Sequence, residues 1–137
     1  MRLVRFSPLF VMLILGGCNL FTSSDTAPLI ADIRSPIEDV PVPAGFTMTD
    51  TSSSKMVAQG GVRVVNHYYT GQDNILSVAN FYREKLPQKN WLWIDQLQPT
   101  GKEVIERFSK KGETCTVTVT RRVFDTMICI QIDPLNP

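Results

Sequence analysis

Histidine is almost missing from this chain: His67 is the single one in 137 residues. With no Cys-x-x-Cys and no His-Glu-x-x-His spacing, a metal site would lack ligands, and none is expected. A catalytic triad would have to recruit the same ring, and the serines at 52–54 sit in no Gly-x-Ser-x-Gly elbow. Gly60-Gly61 precedes a strand rather than a helix and lacks a following Gly-Lys-Ser/Thr, so no phosphate-binding loop forms there. No excess of one charge exists either, with fourteen Lys plus Arg against thirteen Asp plus Glu. A basic stripe that could track phosphates is absent, which removes nucleic acid from the expected partners. The apolar run Leu9–Leu15 has seven residues, far short of the ~20 needed to span a bilayer as a helix. The acids Asp95, Glu103 and Glu106 fall on strand positions that read as a solvated face, and His67, with Arg63, Val65 and Tyr69 as parity partners, reads as a surface histidine. No nucleophile–base or acid–base pair assembles at a recognisable spacing, so neither an enzyme nor a cofactor is expected.

What is present begins with an address. Arg2 and Arg5 precede the apolar run, Gly16 and Gly17 close it, and Cys18 follows. A charged, an apolar and a small-residue region in that order make a secretory signal peptide. Leu15-Gly16-Gly17-Cys18 resembles the lipobox of bacterial lipoproteins. The resemblance implies diacylglycerol on the Cys18 sulfur, cleavage before it, and acylation, palmitate included, of the new amino terminus. Two or three acyl chains hold firmly, at ~0.8 kcal/mol per buried CH₂, where one would not. Asn19 stands where inner-membrane lipoproteins of enteric-like bacteria often carry Asp, which points to the outer membrane. The domain would then lie outside the cytoplasm, on the periplasmic side of a cell or outer membrane.

Removing the first 17 of 137 residues leaves 120, enough for one domain. Without Arg2 and Arg5, twelve basic residues face thirteen acidic ones, so the mature chain is about −1. Residues 18–39 read as the lipidated cysteine and a polar tether, although Leu29, Ile30 and Ile33 are more apolar than a spacer needs. The folded domain is expected over 40–137.

Val40-Pro41-Val42-Pro43 forbids a central strand and favours an extended edge segment, with Gly45 as a turn and Phe46 as a plug. The residues at 62–69 are β-branched and aromatic, a strand signature. Asp73 or Asn74 caps a helix whose apolar residues Ile75, Val78, Ala79, Tyr82 and Leu86 recur at helical spacing, and Pro87 ends it. Strands follow at Trp91–Ile94, Val104–Ser109, Thr114–Arg121 and Thr126–Ile132. The order β-α-β-β-β-β predicts an α+β domain, one helix on an antiparallel sheet of four to five strands.

Cys115 shares a strand face with Val117 and Val119, whereas Cys129 lies opposite Ile128, Ile130 and Ile132. Setting Val119 beside Ile128 and Val117 beside Ile130 unites the apolar faces around a four-residue loop and puts the two sulfurs on opposite sides. A one-residue shift would mix the faces but allow a Cys115–Cys129 disulfide in an oxidising compartment. Trp91 and Trp93 share parity and could both point at the helix, as core or as the wall of an apolar pocket.

Val-Pro-Ala-Gly-Phe46, Tyr69 with Gly71, Asn80-Phe81-Tyr82-Arg83 and Asn90-Trp91 resemble small envelope lipoproteins of unknown function over about residues 40 to 133. The overall shape is similar to the small domains of accessory lipoproteins of the β-barrel assembly machinery, a likeness of fold alone. These resemblances imply a non-enzymatic interaction or assembly-accessory domain with an envelope protein as partner. The sheet face away from the helix, carrying Thr116, Thr118 and Thr120 with Met127 and Gln131, is the expected binding surface. The alternative is a carrier of a small apolar ligand between helix and sheet, which requires an enclosed pocket beside Trp91 or Trp93.

Overall fold

The computed structural model describes residues 27–49, 54–57 and 63–135; the signal segment 1–17, Cys18 and Gly60-Gly61 lie outside them. Among the described residues seven strands and one α-helix are formed: β1 (Thr47–Met48), β2 (Ser54–Val57), β3 (Arg63–Gly71), α1 (Ile75–Lys85), β4 (Leu92–Thr100), β5 (Glu103–Lys110), β6 (Glu113–Arg121) and β7 (Thr126–Pro134). All pairings are antiparallel. The sheet order is β1-β3-β7-β6-β5-β4, with β2 also on β3. Because β1 meets Tyr69 and Thr70 while β2 meets Arg63 to Asn66, the two short strands share one edge position. The fold is thus α+β with six positions across the sheet, where four to five strands were expected. The two short edge strands carry too few residues to show an alternation.

Helix α1 forms as its spacing predicts. Asn74 caps it, its side chain accepting from the Leu76 N–H at 2.8 Å. Ile75, Val78, Ala79, Phe81 and Tyr82 are buried on it. Pro87 cannot donate into a further turn, so the chain tightens into one 3₁₀ turn, Pro87–Lys89. Asn90 then takes a left-handed φ of 66°, and Trp91 enters the core.

The inward face of the sheet is built in rows. Tyr69, Ile128, Val119 and Val104 stand side by side, and so do Val65, Ile132, Cys115 and Phe108. Val119 pairs with Ile128 and Val117 with Ile130, the register that unites the apolar faces. Burial of that face decides it, since a slip of one residue would turn every side chain over. Cys115 therefore lies inside, fully buried, and Cys129 on the other face. Both are free thiols, and the alternative of a Cys115–Cys129 disulfide is corrected by this geometry.

The packed body starts earlier than residue 40. Ile37 and Val40 are completely buried, and Leu29 and Ala31 pack on the core. Ala31 bridges Pro43, and backbone bonds run from Asp32 N to Val42 O and from Ala44 N to Ile30 O, each 2.7 Å. From residue 27 on, the stretch read as tether is a strap lying on the domain; of its apolar residues Leu29, Ala31 and Ile37 pack inward, whereas Ile30 and Ile33 are 76% and 97% exposed. Phe46 then lies flat on Gly71, where a Cβ would come within 2.7 Å of the ring. That close approach, not a positive φ, is what position 71 needs glycine for.

Charge fastens the strap. Arg63 reaches Asp39 at 2.7 and 3.0 Å and Glu113 at 2.6 and 3.0 Å, while Lys110 Nζ donates to Asp39 at 2.8 Å. Burial pushes the Asp39 carboxyl up, but hydrogen bonds and charge from Arg63 and Lys110 outweigh it and hold the pKa at about 2. A carboxylate held below its ordinary 3.8 favours the folded state above that pH and loses its contribution as pH falls from 3.8 toward 2. Urea unfolding between pH 5 and pH 2.5 should show about 1–2 kcal/mol of this acid-side loss. Asp39→Asn should flatten the part of the slope that this group supplies.

Candidate functional site

Among the described residues one helix covers one side of the sheet, and the other side is left open. On it, Thr116 stands beside Gln131, Thr118 beside Cys129 and Thr120 beside Met127. The threonines and Met127 are half-buried, Gln131 is exposed, and Cys129 is nearly covered. The residues expected to form a binding surface are therefore brought together as one contiguous patch. On β3, Asn66 Oδ1 accepts from the Cys129 thiol at 3.6 Å, and the Asn66 amide donates to the Tyr68 hydroxyl at 3.3 Å. Burial pushes the Cys129 thiol pKa up, which disfavours the reactive thiolate.

Toward β4 the open face grows more apolar. Leu92 is 70% exposed and Leu97 is 46% exposed, paired with Ser109 and Ile105. Between them Asp95 and Arg107 form a two-point ion pair. Among the described residues strand β4 is also the sheet edge, with no strand beside one row of its backbone groups. An irregularity between Trp93 and Asp95 interrupts this edge, and Pro99 removes one donor from it. Both features blunt indiscriminate pairing.

The inward side is mostly filled. Trp91 is 1% exposed, donates through Nε1 to the Asp39 carbonyl at 3.0 Å, and lies under the Lys110 ammonium. Trp93 points to the same side but, on the edge strand, stays 47% exposed. Its Nε1 donates to Glu106 at 2.8 Å and the Arg83 guanidinium lies over its ring. Glu106 is 1% exposed and also accepts from Arg83 at 3.0 Å. The expectation of a solvated Glu106 is corrected: it shares parity with Val104 and Phe108 and faces the helix, while Glu103 is half-buried. His67 is likewise buried, not on the surface, with Nδ1 3.1 Å from the Tyr69 hydroxyl. Burial drives the Tyr69 pKa to about 12 and that of Tyr82 well above the usual tyrosine value. The Tyr82 hydroxyl, wholly enclosed, has no hydrogen-bond partner among the described residues. Burial raises the Cys115 thiol too, so this interior offers no ready nucleophile.

Two open clefts lie against the strap and α1. One of about 470 Å³ runs between the strap at Pro28–Ala31 and the helix end at Glu84, Lys85 and Gln88. Another of about 310 Å³ lies on the far side of Leu29, against Leu76, Ser77, Asn80 and Phe81. Neither Trp91 nor Trp93 lines these two clefts. Among the described residues no three His, Cys, Asp or Glu side chains converge as a metal site. Among the same residues no helix is long and apolar enough to cross a membrane.

Comparison with known proteins gives one family. A family model described as START domain-like matches residues 47–129, more than half of the chain, from β1 into β7. No curated protein and no solved structure gives a significant match.

Proposed function

Since this chain belongs to the START domain-like family, we propose that it acts by binding rather than by catalysis, as an envelope lipoprotein domain held to its membrane through lipid on Cys18. START-like domains are usually binding modules, and the Leu15-Gly16-Gly17-Cys18 pattern supplies the reason for the anchor. Nine residues, 18 to 26, separate the sulfur from the first described position, a reach of at most about 30 Å even fully extended. The domain therefore works close to the bilayer, against partners in or near it.

The observation that carries this reading is the open sheet face, where Thr116, Thr118, Thr120, Met127 and Gln131 lie in register. Rows of half-buried threonines with a methionine offer flat contact area and hydroxyls that pair either way, which suits a protein surface. A photo-crosslinker placed at Thr118 in cells should capture one defined envelope protein, and Thr116→Arg should abolish the capture. Recovery of the monomer alone from Thr116, Thr118 and Gln131 would sink the proposal.

A second reading, a carrier of a small apolar ligand, is favoured by the family and by the cleft between Leu29, Ile30, Pro41 and α1. Its volume of about 470 Å³ is within the range of ligand sites. Saturable binding of a fluorescent fatty acid, weakened by Leu29→Arg, would favour that reading over the sheet-face one.

A further inference from the structure

The four-residue connection between β6 and β7 ends in two adjacent apolar side chains, Val123 and Phe124, each 88% exposed. Neither rests on the domain, yet the loop that presents them is braced. Arg122 N donates to Asp125 O at 2.8 Å, and the Arg122 guanidinium grips the Asp125 carboxylate at 2.5 and 2.6 Å. Thr126 Oγ1 donates to Asp73 O at 2.6 Å, tying the base of the loop to the segment that leads into α1. Arg121 N is bonded to Lys102 O at 2.8 Å, which joins the loop to the turn between β4 and β5. An apolar pair on a stiffened tip, flanked by Arg121 and Lys102, matches the chemistry of a lipid headgroup boundary.

The tip lies against the start of α1, and so does residue 27. A cleft of about 290 Å³ is lined by Asp73–Ile75 on one side and Arg121–Thr126 on the other. The cleft beyond α1's first turn is lined by Leu76 and Ser77 together with Ala27–Leu29. Half-exposed Leu76 thus stands between the tip and residue 27, from which nine residues lead back to Cys18.

We infer that Val123 and Phe124 are a bilayer-contact element, seated in the headgroup region of the same membrane that holds the lipid on Cys18. This rests on the anchoring reading above. Strands β6 and β7 end at the tip, so this contact stands the sheet upright on the membrane and turns its open face sideways, toward neighbours in the envelope.

The test uses the full lipoprotein with p-benzoylphenylalanine in place of Phe124, or in place of Lys111 in the turn between β5 and β6 at the other end of those strands. Membranes are irradiated, adducts are read by mass, and fatty acid on Cys18 is scored in the same samples. Phospholipid adducts at 124 should exceed those at 111 by roughly tenfold. Lipidated protein that gives only protein adducts, or none, at 124 overturns the bilayer contact and leaves the anchor standing. Protein without fatty acid on Cys18 overturns the anchor and this inference with it.

Discussion

Replacing Trp91 by alanine should destabilise the domain by about 3–5 kcal/mol, read as a shift in the urea midpoint with little change in slope. The indole is 1% exposed, so its loss removes the largest fully buried side chain among the described residues and opens a cavity that a sheet held at six positions cannot collapse. The Nε1 bond to the Asp39 carbonyl and the stacking of Lys110 go with it. Those contacts hold the strap, so the carbonyl of Asp39 also loses its indole donor. Against a total of about 5–15 kcal/mol, a single side chain would account for much of the fold's stability. Trp91→Phe, which keeps most of the volume and loses the donor, should cost roughly half as much. A midpoint unmoved by Trp91→Ala would contradict the packing described.

Arg83→Met should cost about 2–4 kcal/mol, because it strands a carboxylate rather than because it deletes a contact. Glu106 is 1% exposed inside the sheet, and Arg83 and the Trp93 indole are the donors that meet its oxygens. Arg83 itself is 41% exposed, so its own desolvation is modest and the low end of that range is the safer expectation. The double variant Arg83→Met with Glu106→Leu should recover most of the loss, since an apolar pair between Val104 and Phe108 needs no partner. A double-mutant cycle on urea midpoints measures this directly. If the two losses simply add, Glu106 is not held by Arg83 in the way the geometry indicates.

The sequence carried the main architecture because burial writes itself as periodicity. The α1 stripe, a cap at Asp73 or Asn74 and the stop at Pro87 were legible, with the structure deciding for Asn74, and so was the β6–β7 register that separates Cys115 from Cys129. Glu106 and His67 were not, although both sit at the parity of their buried neighbours, Val104 and Phe108 for one and Val65 and Tyr69 for the other. Their polarity argues for solvent, and only partners distant in sequence, Arg83 and Trp93, supply what allows the Glu106 charge inside. The strap had no period to read. It is fixed by irregular contacts at Ile37 and Val40 and by charges on two separate strands, Arg63 on β3 and Lys110 on β5, meeting Asp39. Of the candidate surface, the threonine row was legible from alternation alone, whereas its pairing with Gln131, Cys129 and Met127 followed only once the register was right.

The claim on which location, leash and partners all depend is lipid at one sulfur. The intact mass of the protein extracted from membranes tests it most directly. The account predicts a polypeptide beginning at Cys18, heavier than its 120 residues by a diacylglycerol and an acyl chain, with both additions lost in Cys18→Ala. A mass equal to the uncleaved chain, or to any unmodified fragment, would contradict it.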